Sequence, residues 1–91
     1  MHPVDEIIMK SQHCMQEYSY DEYCRIMRIY DKAMLEQKTV VAKLYLRIAR
    51  DYAYLSYYFS GNDIDSERAH NNTVYVISRI YKDIDTLCAH S

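Results

Sequence analysis

Apolar residues recur at three- and four-residue intervals along most of the chain, the spacing that gathers side chains on one face of a helix. From Pro3, whose ring presets a first helical turn, Val4, Ile7, Ile8, Ser11, Cys14, Met15 and Tyr18 share a narrow face, and Asp5 and Glu6 suit the positive end of the dipole. Ser19 followed by Glu22 matches a capping box, so the pattern predicts that this first helix stops near Tyr18 and a second begins at Tyr20. The second helix places Tyr20, Tyr23, Cys24, Met27, Tyr30 and Met34 on one side and Asp21, Arg25, Arg28, Lys32 and Glu36 on the other, with Ile29 on the polar side.

A third helix is expected from Thr39, as its cap, to Gly61, which suits the left-handed conformation after a helix. Its apolar arc takes in Leu44, Leu55, Ile48, Val41, Phe59, Tyr52, Tyr45, Ala49, Ala42, Ala53 and Leu46, more than half the circumference, broken only by Ser56. Such a helix must be covered on more than one side. The strip that remains carries Lys43, Arg47, Arg50, Asp51, Tyr54 and Tyr58, with Tyr57 at its edge. A fourth helix is expected to follow a polar stretch with Asp63, Asp65 or Ser66 as its cap, and to bury Ala69, Thr73, Val76, Ile77, Ile80, Ile84 and Leu87. The pair Asn71-Asn72 would allow a later start, at Thr73.

Turn residues support an all-α chain. Glycine and proline occur once each in 91 residues, too few for the turns of a β-rich domain. The expected architecture is a small antiparallel bundle of three long helices plus a shorter N-terminal one, forming a single domain over residues 1–91. No internal repeat, linker or low-complexity tract stands out. The stretch Glu36-Gln37-Lys38-Thr39-Val40 has neither glycine nor proline, so helices two and three are alternatively one bent rod. A rod would bury its apolar arc only with a partner or a second copy, and oligomerisation would complete the fold.

Charge and chemistry narrow the function. Hydrophobic residues make up 49% of the chain and the formal net charge is −2, which suits a packed core and lacks the basic stripe of a nucleic-acid binder. Three cysteines, Cys14, Cys24 and Cys88, and an N-terminus without a basic, then apolar, leader predict reduced thiols in the cytoplasm, packed on apolar faces and slow to label. The sequon Asn71-Asn72-Thr73 is then without consequence, and no apolar run is long enough to span a membrane. His70 falls toward the apolar face of the fourth helix, where a structural histidine is expected, while His13 is on a polar face and His2 and His90 lie near the termini. The run Asp63-x-Asp65-x-Glu67 resembles the start of a calcium loop but lacks its later glycine and glutamate, and no cysteine pair has zinc spacing. The chain therefore reads as non-catalytic, with no cofactor and no metal.

Surface recognition is left. Tyrosine offers a large contact area with few rotatable bonds, and the chain holds 11 of them. Lys43, Arg47, Arg50, Tyr54, Tyr57 and Tyr58 form the expected partner-binding edge of a helical adaptor, chaperone or inhibitor, acting on a protein or on a second copy. Two alternatives are a helical transcriptional or nucleic-acid regulator using the basic part of helix three, and a metal-sensing or enzymatic subunit.

Overall fold

The computed structural model describes residues 12–61 and 66–90, and among them the chain is all-helical with no strand. The helices are α1 (Gln12–Leu35), α2 (Thr39–Tyr58) and α3 (Ser66–His90). Val4, Ile7, Ile8 and Ser11 of the expected first helix, and the caps Asp63 and Asp65, lie outside the described residues.

The helix break expected between Tyr18 and Tyr20 does not occur, because α1 runs unbroken through both. Ser19 is completely buried, and its hydroxyl has no hydrogen-bond partner, so it caps nothing. With no glycine or proline nearby, a serine costs the helix little, and its small side chain lets α1 lie close to α2. The buried face is turned from the one expected. Met15, Ser19, Ile26 and Ala33 are buried, at spacings of four and seven, whereas Tyr20 is 56% exposed and Met34 49%. Ile29, out of place on the expected wheel, packs against the core.

Helices α1 and α2 are separate, which excludes the bent rod. Gln37 adopts φ 59°, its N–H donates to Met34 O at 3.1 Å, and the N–H of Lys38 donates to Ala33 O at 2.9 Å. These two bonds form a Schellman turn, usually built on glycine. Among the described residues the left-handed one is thus Gln37 and not Gly61, whose φ is not positive. Thr39 is likewise not a cap: Lys38 holds the N-cap position of α2, without a side-chain bond. At its other end α2 tightens, with Ser60 N–H on Tyr57 O at 3.1 Å and Gly61 N–H on Tyr58 O at 3.3 Å.

Helix α2 is the central element, as its wide apolar arc requires. Ala42, Leu44, Ile48, Ala49, Tyr52 and Leu55 are all buried, and α2 packs against both α1 and α3, more extensively against α1. Helix α3 starts at Ser66 and passes through Asn71-Asn72 without interruption. Its Thr73, Val76, Ile77 and Ile80 are buried as expected, but Ile84 is 37% exposed while Asp83 beside it is only 3% exposed. Contacts from α2 to α3 run 54 to 72, 51 to 79 and 47 to 83, so one number falls as the other climbs.

Candidate functional site

Because α1 and α3 flank α2 and barely touch each other, a cleft opens between them over α2. One part, about 300 Å³, is walled by Ile26 and Ile29 of α1, floored by Tyr45, Ile48 and Tyr52 of α2, and closed by Ile84, Leu87 and Cys88 of α3. It adjoins a second hollow of about 600 Å³ through Tyr45 and Leu87, where Val40 and Val41 continue the apolar lining toward the α1–α2 turn. Arg25, Lys38 and His90 are the basic side chains lining the two hollows, and among the described residues no carboxylate lines them. Large apolar side chains are also exposed at the turn itself, Leu35 at 85% and Val40 at 57%.

Tyr52 marks one end of the cleft. Its ring meets that of Tyr18 edge-on, with centroids 6.4 Å apart, and burial, helped by Tyr18 and Glu22, pushes its phenol well above the usual value near 10. The folded protein therefore holds this proton to higher pH than a free tyrosine does.

The tyrosine and arginine edge expected from the sequence is divided between two environments. Lys43 and Arg50 are exposed, as is Tyr57 at 79%. Arg47 instead reaches α3, its Nη2 lying 3.2 Å from Asp83 Oδ1. The Tyr54 hydroxyl donates to Asn72 Oδ1 at 3.3 Å, and Tyr58 packs edge-on against Phe59 at 5.2 Å. Arg47 and Tyr54 of the edge are thus turned to α3, across the α2–α3 seam.

That seam holds a pair of ion pairs which a search for apolar faces passes over. Asp51 and Asp83 are 6% and 3% exposed, and each is bound by an arginine of the opposite helix. Arg79 grips Asp51 with two bonds, Nη2 to Oδ1 and Nε to Oδ2, the latter 3.3 Å, and lies over the Tyr75 ring at 5.4 Å. The second carboxylate oxygen of Asp83 is buried without a hydrogen-bond partner. A signal for this arrangement was present in the chain. Arg47-Ile48-Ala49-Arg50-Asp51 and Arg79-Ile80-Tyr81-Lys82-Asp83 repeat one pattern, and Arg25-Ile26-Met27-Arg28 in α1 repeats its first four positions. In the first two segments the isoleucine enters the core, while Arg and Asp, one turn apart, pair reciprocally across the helices.

Other candidates change place. Cys14 and Cys88 are exposed, which overturns the expected slow labelling of Cys14, and Cys24 is half-buried. Among the described residues no disulfide forms. The Tyr20 phenol is raised above its usual value, first of all by its hydrogen bond with the Cys24 thiol. His70 is exposed, not turned to the core as expected. Most of the run beginning at Asp63 lies outside the described residues. Among those described, no group of His, Cys, Asp and Glu is placed to hold a metal ion, and no helix is long and apolar enough to cross a membrane. Comparison with known families, curated proteins and solved structures gave no match.

Proposed function

We propose that this chain is a protein-interaction module: a single-domain antiparallel helical bundle, working in a reducing cytoplasm, that binds a partner protein or a second copy of itself and catalyses no reaction. The open apolar cleft over α2 carries this proposal. From Val40 to Tyr52 the floor of the cleft runs about 18 Å, roughly three helical turns, and its walls are aliphatic side chains on neighbouring helices. Clefts of this volume and chemistry receive an apolar surface, most simply one face of a helix. Nucleic acid fits less well, because Arg47 and Arg79 are committed to Asp83 and Asp51 and leave a diluted basic strip on α2.

The exposed residues of the tyrosine edge, Lys43, Arg50 and Tyr57, are a secondary contact in this proposal. Association is tested by light scattering during size-exclusion chromatography, together with recovery of stoichiometric partners from the native cell. Wild type is expected to associate, and Ile84→Glu, which places a carboxylate in the cleft wall, to lose that association with helicity intact. A protein that neither self-associates nor recovers a partner refutes the proposal. Association unchanged in Arg50→Ala/Tyr57→Ala but lost in Ile84→Glu assigns the contact to the cleft rather than the edge.

A further inference from the structure

We infer that a second copy docks on the back of the α1–α2 pair, the side away from the cleft, with α1 of each chain lying along α2 of the other. This rests on the interaction role proposed above and names the partner of its tyrosine edge. The cleft stays open in the pair, so the association that Ile84→Glu removes is then with a foreign protein. At about 100° per residue, Arg25 and Ile29 lie to one side of buried Ile26 and line the cleft, while Tyr23 and Tyr30 lie to the other. On that other side Tyr20, Tyr23, Met27, Tyr30 and Met34 form a stripe at alternating spacings of three and four residues, about 21 Å long. This is the repeat of a helix that packs along a second helix. The core leaves the stripe uncovered: Tyr20 and Met34 are 56% and 49% exposed, and Tyr23, Met27 and Tyr30 are only half-buried. Helix α2 continues the surface with Leu46, Arg50, Ala53 and Tyr57, again at three-four spacing.

Charge selects the occupant and its orientation. Beyond the stripe, α1 exposes Glu17, Asp21 and Asp31 against a single Arg28, whereas α2 exposes Lys43 and Arg50 and buries its one acid, Asp51. A surface acidic along one helix and basic along its neighbour is matched by the same surface turned about a twofold axis parallel to the helices. That rotation lays α1 on α2 twice over and closes the assembly at two chains. It also keeps each residue at its own level along the bundle. Tyr18 meets Tyr52 across the antiparallel pair, so Asp31 stands within about one turn of the level of Lys43, and Tyr20 and Tyr23 stand near that of Arg50. In the pair Asp31 therefore meets Lys43, and Arg50 lies over tyrosine rings, a favourable place for a cation. The other twofold arrangement, α1 on α1 and α2 on α2, sets acids against acids and bases against bases, which is unfavourable.

The test uses the full chain in light-scattering and dilution measurements. Wild type is expected to be a dimer, and Arg50→Ala/Tyr57→Ala to weaken it by on the order of a hundredfold with helicity unchanged, since both side chains are exposed in the single chain. Asp31→Lys or Lys43→Asp alone should weaken it by about tenfold, and the two together should restore it, whereas Ile84→Glu should leave it unchanged. A disulfide trap identifies the pairing: in a Cys14→Ser/Cys24→Ser/Cys88→Ser background, Asp31→Cys and Lys43→Cys proteins should link under mild oxidation only when mixed. A wild type that stays monomeric at hundreds of micromolar overturns the inference, and the interaction role still stands if a foreign partner is recovered. An Asp31→Cys protein that links to itself, or a charge reversal that is not rescued, overturns it too. So does a dimer indifferent to Arg50→Ala/Tyr57→Ala; if Ile84→Glu breaks that dimer, the pairing belongs to the cleft and the interaction role again stands.

Discussion

Removing Arg79 should expose how much the α2–α3 seam depends on its buried carboxylates. The side chain of Asp51 is 8% exposed and that of Arg79 44%. Taking the cation from a fully buried pair typically costs 3–5 kcal/mol, because the remaining charge stays desolvated. Here water can enter from the Arg79 side, so Arg79→Met is expected to cost about 2–3 kcal/mol. Asp51→Asn should cost about 1–2 kcal/mol, through weakened hydrogen bonds. Once the charge is gone, losing Arg79 as well removes little more, so the double variant should also lose only about 1–2 kcal/mol. The cycle then gives a coupling of about 2 kcal/mol. Urea unfolding followed by far-ultraviolet circular dichroism, at one fixed protein concentration, measures all four proteins. The exposed pair Glu22–Arg25, with 2.8 Å geometry within one turn of α1, provides the control and should couple by only about 0.3–0.5 kcal/mol. A seam coupling no larger than the control's would refute the reasoning, since Asp51 would then be solvated despite its position.

Three further outcomes follow from particular residues. Gln37→Gly should stabilise the protein by about 0.5 kcal/mol in the same urea assay, because relief of the left-handed strain of about 1 kcal/mol exceeds the added entropy of the unfolded chain; a loss of stability would mean that the Gln37 side chain holds the turn. The hydroxyls of Ser19 and Thr73 are buried without partners, so Ser19→Ala and Thr73→Val should each raise stability by about 1 kcal/mol, and a drop in either would reveal a bond to those oxygens. The raised phenol of Tyr52 sets a pH dependence: the folded state keeps this proton longer than the unfolded chain, so its contribution is complete below the ordinary value near 10 and declines as pH rises beyond it. Urea midpoints from pH 8 to 11 should fall less steeply in Tyr52→Phe than in wild type, and parallel curves would show that Tyr52 ionises as freely when folded.

What the sequence determined by itself was the helical class and the place of α2 at the centre. One glycine and one proline leave no turns for a sheet, and an apolar arc wider than half a helix has to be covered on two sides. The core positions of α3, Thr73 to Ile80, were legible for the same reason, since aliphatic residues at three-four spacing have one stable orientation. Tertiary structure decided what amphipathic or small residues left open. Tyr20 and Ser19 are neighbours, and a hydropathy pattern turns the tyrosine inward, but close packing on α2 favours the serine, while the phenol ring is tolerated in water. The separate helix starting at Thr39 was expected, but the device that makes the break was hidden, because the left-handed turn at Gln37 is held by backbone bonds to Ala33 and Met34 and not by a glycine. Asp51 and Asp83 read as surface charges until α2 and α3 are brought together, since only the opposite helix supplies the arginine that makes burying each carboxylate tolerable. The cleft exists for a similar reason: α1 and α3 each choose α2 over one another, and the gap they leave belongs to no single helix.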